Sequence, residues 1–129
     1  MKKRSYLLAA LLSIAPFIAA GAAEVIFAGN RDGQFDLFRA DLKTAQTQQL
    51  TDTSADETMP AVSPDGQKLV FVSNRAGADS IFMMPIAGNA SEVIDISGGM
   101  GAYANPAFSP DGTRIAARYA PDPQEPFAA

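Results

Sequence analysis

The stretch PAVSPDGQKLVFVSNR, residues 60–75, returns in altered form as PAFSPDGTRIAARY at residues 106–119, so Pro60 and Pro106 open two copies of one unit at an offset of 46. Ser63-Pro64-Asp65-Gly66 and Ser109-Pro110-Asp111-Gly112 carry the chemistry of a tight turn. Proline presets φ near −65° at the first corner, aspartate can bond the backbone that follows it, and glycine accepts the left-handed conformation that closes the turn. Each copy is therefore expected to join two antiparallel strands. KLVFVS, residues 68–73, is rich in β-branched and aromatic residues and apolar on both faces, the pattern of a strand held between two neighbouring sheets.

A second alignment supplies the rest of the unit. EVIFAGNRDGQFDLFRAD, residues 24–41, matches KLVFVSNRAGADSIFMMP, residues 68–85, at an offset of 44, pairing Phe27 with Phe71, Asn30 with Asn74, Arg31 with Arg75, Gly33 with Gly77 and Phe38 with Phe82. The Asn-Arg-x-Gly segments read as loops punctuated by glycine. DLFRAD and SIFMMPI follow as third strands, and TQQLT and SEVIDIS as more polar strands at an outer edge. A unit of about 45 residues has the length of a four-stranded propeller blade. The fold class expected is all-β: antiparallel four-stranded propeller blades, about two and a quarter of them, forming an incomplete propeller. Nine strands are predicted, over 24–29, 35–41, 47–51, 58–63, 68–73, 79–85, 91–97, 104–109 and 114–118, with almost no helix.

Composition narrows the chemistry. The 129 residues are 47% hydrophobic and 19% charged, a globular composition. A net charge of −4 leaves no basic stripe to neutralise phosphates, so nucleic acid is not an expected partner. The chain has neither Cys nor His, which removes thiolate nucleophiles, Ser-His-Asp triads and histidine-ligated zinc. There is also no G-x-S-x-G elbow.

The head, MKKRSYLLAALLSIAPFIAAGAA, has the three parts of a secretory signal: Lys2, Lys3 and Arg4, an apolar run from Tyr6 to about Ala20, then small residues. The run is interrupted by Pro16 and falls short of the roughly 20 residues a membrane-spanning helix needs, so an integral membrane protein is not expected. The expected division is a signal peptide at 1–22, blades over 23–118 and a proline-rich acidic tail at 119–129. Loss of the three basic residues at the head takes the net charge from −4 to −7.

Proline, an apolar pair, SPDG, a strand ending in SNR, a glycine, then IF or LF and a closing LT together resemble the TolB-like (WD40-like) β-propeller repeat family, over Glu24 to about Arg118. That resemblance implies a periplasmic, non-enzymatic binding or scaffold propeller. It implies a protein partner in a cell-envelope complex of the Tol-Pal kind, which joins inner-membrane Tol components to a peptidoglycan-associated lipoprotein. Similar blades form part of prolyl oligopeptidase-like peptidases and oligogalacturonate lyases, so the alternative is the propeller portion of a secreted enzyme whose catalytic part is absent. Members of the family usually carry more blades, which makes the front end of a longer propeller the expected reading. An open blade face on the order of 300 Å² would then favour self-association.

No catalytic, cofactor-binding or metal-ligating residue is expected within the chain. Arg31 and Arg75 end corresponding strands and are expected to hold loop carbonyls or a neighbouring Asp65 or Asp111 rather than a ligand. Asp32 and Asp36 lack the alternating oxygen ligands of a calcium loop. Met83 and Met84 are expected to pack on blade faces.

Overall fold

The computed structural model describes residues 23–87, 92–99 and 101–124. The signal-like head lies outside these residues, as does the end of the proline-rich tail. Among the described residues nine strands form three antiparallel sheets. Sheet 1 is β1 (Glu24–Asn30), β2 (Phe35–Asp41) and β3 (Thr47–Gln49). Sheet 2 is β4 (Glu57–Val62), β5 (Lys68–Ser73), β6 (Ser80–Pro85) and β7 (Ile94–Asp95). Sheet 3 is β8 (Ala102–Phe108) and β9 (Ile115–Ala120). Strands pair in chain order within every sheet, and no α-helix is present among the described residues. The chain is thus all-β and antiparallel, with the strands of a partial propeller.

The first strands of neighbouring sheets touch: β4 packs on β1 and β2, and β8 on β4, β5 and β6, whereas β3 and β7 do not meet. The sheets therefore fan outward from a shared inner edge. One apolar cluster sits between sheets 1 and 2: Leu37, Leu69, Phe71, Phe82 and Met84, with Ile26, Ala28, Leu50, Val62 and Val93 against it. The other face of sheet 2 carries Val70, Val72 and Ile81, buried under β8. Burial on both faces is what KLVFVS encodes. Met84 lies in the core and Met83 on the opposite face.

The strand limits depart from sequence expectation where side chains take over from the ladder. β3 stops at Gln49 because Leu50 and Thr51 both donate their N–H to Leu37 O while Thr51 Oγ1 accepts from Leu37 N–H at 2.9 Å. β7 ends at Asp95, whose carboxylate accepts from both Ser97 N–H and Ser97 Oγ–H and so turns the chain. β9 continues past Arg118 to Ala120, with Tyr119 pairing with Tyr103 at a ring separation of 5.0 Å.

The inner strands of sheets 2 and 3 each contain an irregularity that the pattern did not foretell. Between Thr58 and Ala61, β4 uses one residue more than β5, and β8 does the same against β9 between Ala104 and Ala107. At both bulges the extra backbone is left-handed, at Met59 (φ 51) and Asn105 (φ 52), each followed by proline.

Candidate functional site

Two rims and the inner edge between them carry the chemistry. At one rim the SPDG turns are near-identical. Ser63 Oγ–H donates to Asp65 Oδ1 at 2.5 Å, Lys68 N–H donates to Ser63 Oγ, and Gly66 N–H closes on Ser63 O at 2.8 Å. Ser109, Asp111, Arg114 and Gly112 reproduce these bonds. Pro64 and Pro110 stand at the corners. Gly66 (φ 73) and Gly112 (φ 72) are left-handed. The turns lie side by side around a shallow cleft of about 310 Å³ lined by Ser63, Pro64, Asp65, Lys68, Asp111 and Gly112.

Hydrogen bonds lower the carboxyl pKa of both aspartates. Ser63 Oγ–H has the largest effect on Asp65, and Ser109 Oγ–H, followed by Thr113, holds Asp111 down at about 2. A depressed carboxyl stabilises the fold above its ordinary pKa of 3.8, and for Asp111 that contribution disappears only as pH falls through about 2. Because a β-branched residue at positive φ costs about 1–3 kcal/mol, Gly66→Val and Gly112→Val should each lower the melting temperature. At Gly112 the new Cβ would also stand 3.4 Å from Pro64 Cδ. Two variants that melt with the parent would mean that the turns do not need this geometry.

At the opposite rim the Asn-Arg-x-Gly loops cap the sheets. Gly33 and Gly77 are left-handed and face open space. Gly33 N–H donates to Asn30 Oδ1, whereas Asn74 reaches out of its loop: its Oδ1 accepts from Asp56 N–H at 3.0 Å. Asp56 also accepts from Phe35 N–H at 2.9 Å, tying sheet 1 to the approach of β4. Arg31 and Arg75 each lie over aromatic rings of their own sheet. Arg31 stands 5.6 Å from the Phe38 ring, and Arg75 stands 4.8 Å from Phe82 and 5.6 Å from Phe71.

The arginine partners differ from expectation. Asp65 and Asp111 sit at the SPDG rim, at the other ends of the strands from Arg75. Arg75 instead donates to Glu57 Oε1 at 2.9 Å, and Arg31 donates to Gln49 Oε1 at 2.6 Å beside Asp32. Glu57 is wholly buried. Its Oε1 also accepts from Thr53 Oγ–H and Ser73 Oγ–H, and its Oε2 has no hydrogen-bond partner.

Asp36 belongs to the same joint, where its Oδ1 accepts from Thr53 N–H at 3.5 Å. Burial first, then the nearby Glu57 and Asp52 charges, push its pKa above the ordinary 3.8, against the lowering effects of Thr53 N–H and Arg31. Asp32 is exposed at the loop while Asp36 turns inward, so the two do not converge. Among the described residues no three acidic side chains could hold a metal ion.

A carboxyl with a raised pKa costs stability when ionised, and that cost fades as pH falls through its folded value toward 3.8. Asp36→Asn keeps an acceptor for Thr53 and removes the charge. It should raise the melting temperature at pH 7, with the gain disappearing by about pH 4. Paired thermal melts across that range check it, and a pH-independent difference would contradict the assignment.

At the inner edge, the bulges of β4 and β8 bring Met59 and Asn105 together, with Asn105 N–H against Met59 Sδ at 3.3 Å. Both side chains are exposed. The signal for them was present in the sequence as two X-Pro pairs at the repeat offset, Met59-Pro60 and Asn105-Pro106.

Comparison with known proteins fits this geometry. The family model of the TolB beta propeller domain matches residues 7–124. An uncharacterised protein of Agrobacterium fabrum is 31% identical over 107 residues, covering 75% of this chain and 36% of that protein. Among solved structures, a putative TolB from Agrobacterium tumefaciens is 28% identical with a TM-score of 0.66, covering 71% of this chain and 32% of that one. TolB from Acinetobacter baumannii is 24% identical with a TM-score of 0.68, over 85% and 27% of the two chains. A puromycin-hydrolysing peptidase of Mycobacterium tuberculosis is 23% identical with a TM-score of 0.63, over 82% and 19%. The last two likenesses concern the fold alone. The chain spans about a third or less of the length of these relatives.

Proposed function

Because the chain belongs to the TolB beta propeller domain family, we propose that it is a non-enzymatic, exported propeller segment that binds a protein in the cell envelope. The carrying observation is the pair of matching bulges. Non-glycine residues in left-handed backbone are costly, by about 1–3 kcal/mol each, and such strain gathers where a surface is used. Among the described residues it occurs once in the turn between β2 and β3, at Ala45, and twice on the exposed inner edge, at Met59 and Asn105. The charged groups of the joint, in contrast, are occupied internally: Arg75 with Glu57, and Asp36 with Thr53.

The signal-like head supports export to the periplasm, with residues 1–22 removed, and the family supports a partner of the Tol-Pal kind. The test combines location with binding. Intact mass of the periplasmic product should lack the head. Immobilised peptidoglycan-associated lipoprotein from the same bacterium should retain the chain but not a Met59→Asp, Asn105→Asp variant that melts normally. A product retaining Met1 in the membrane would overturn export, and equal retention of the variant would overturn the inner-edge site.

The second reading is the propeller portion of a secreted enzyme, supported by the fold likeness to the peptidase. Peptidase activity in the periplasmic product, dependent on sequence outside these sheets, would favour it.

A further inference from the structure

The bulge in β8 leaves one backbone donor outside its ladder. Ala104 pairs with Arg118 and Ala107 with Ala116, so Asn105 and Pro106 stand between the paired residues. Proline has no N–H, which makes Asn105 N–H the donor of this bulge. It turns to sheet 2, where its acceptor is Met59 Sδ at 3.3 Å, 46 positions earlier and in the matching bulge of β4. Thioether sulfur is a weak acceptor. A link between two sheets thus rests on a poor partner.

The same side chain is open to solvent. Met59 is 39% exposed, whereas Met83 is half-buried and Met84, in the core cluster, is 2% exposed. These described methionines form a graded series, with Met59 at its open end. Cysteine, the side chain that would compete for a two-electron oxidant, does not occur in the chain.

We propose that Met59 is a reversible oxidation site, at which a peroxide converts the thioether to a sulfoxide whose oxygen takes over the Asn105 N–H. With hydrogen peroxide, a sulfur lone pair attacks one peroxide oxygen, an S–O bond forms and the O–O bond breaks. Sulfur loses two electrons and the peroxide gains them. The proton on the transferred oxygen passes to the departing hydroxide, which leaves as water. A sulfoxide oxygen is a stronger acceptor than thioether sulfur, and the rotatable bonds of the side chain let it swing to the donor. Oxidation therefore tightens the link between β4 and β8, the reverse of its disruptive effect in a core. A methionine sulfoxide reductase restores the thioether. The same edge carries the binding surface proposed above, but oxidation requires no partner, so either can fail without the other.

Peptide mapping by mass spectrometry after brief exposure of the full chain to hydrogen peroxide should find Met59 oxidised at least about tenfold faster than Met84, with Met83 between them. Amide hydrogen exchange then reads the new bond. In the oxidised chain Asn105 N–H should exchange at least about threefold more slowly than in the reduced chain. Treatment with a methionine sulfoxide reductase and dithiothreitol should return the original rate. Met59→Gln, which offers an uncharged carbonyl oxygen at similar reach, should slow the exchange without any oxidant. Met59→Leu offers no acceptor, so it should speed the exchange and abolish the response to peroxide. Equal oxidation of Met59 and Met84, or an Asn105 amide that exchanges as fast after oxidation as before it, overturns the proposal.

Discussion

Arg75→Ala should lower the melting temperature by more than about 10 °C, because it strands a carboxylate in the interior. Glu57 is 0% exposed, and its one charged partner is a guanidinium that also caps the Phe71 and Phe82 rings. Breaking a buried pair by removing one partner costs about 3–5 kcal/mol. Arg75 keeps a quarter of its side chain in water, which favours the low end of that range. Even so, about 3 kcal/mol is a large share of the 5–15 kcal/mol that holds a domain together. Two controls separate charge from packing. Glu57→Gln in the Arg75→Ala background should recover part of the loss, since a neutral amide leaves no unpaired charge. Arg31→Ala should cost much less, because Arg31 is 61% exposed and its contact with Asp32 is long, at 3.7 Å. Similar melting of Arg75→Ala and Arg31→Ala would mean that the buried pair contributes nothing.

The contrast between those two arginines shows what the sequence could and could not convey. Turn chemistry is local, and Ser63-Pro64-Asp65-Gly66 contains everything that makes the turn, so its strands were legible at a glance. Alternation and repeat offset then placed β5 and β6, whose limits follow KLVFVS and SIFMMP closely. Glu57 was not legible as the partner of Arg75. It lies 18 residues upstream, and at the repeat offset Tyr103 takes its place, so a search for repeated features passes over it. The aspartates of SPDG are repeated and conspicuous, but they stand at the wrong ends of the strands. The bulges escaped for a different reason. One extra residue in β4 or β8 leaves the apolar pattern readable while shifting the register, and only the left-handed φ at Met59 and Asn105 reveals it. Edges were legible least: β7 shrinks to Ile94 and Asp95 because the Asp95 side chain captures Ser97, a choice made by one carboxylate rather than by a pattern.

Phe71→Ala should be at least as damaging as the loss of Arg75, and the repeat itself supplies the scale. Phe71 is fully buried between sheets 1 and 2, stacked on Phe82 at 6.1 Å and grouped with Leu37, Leu69 and Met84. Truncating a buried phenylalanine costs about 3–5 kcal/mol, the removed surface plus the cavity left behind. Two further losses add to it here: the stacked partner of Phe82 and one of the rings under Arg75. Phe27 occupies the same repeat position in sheet 1 and stacks on Phe38 at 5.6 Å, but it is only partly buried and lies outside the cluster. Phe27→Ala should therefore cost clearly less. In sheet 3 the corresponding residue is already alanine, Ala117, exposed on β9. The same position is thus half-buried in sheet 1, fully buried in sheet 2 and exposed in sheet 3, and urea titrations of Phe71→Ala and Phe27→Ala measure the difference between the first two directly. Equal losses at the two sites would mean that the joint between sheets 1 and 2 is not where the stability of this fold is concentrated.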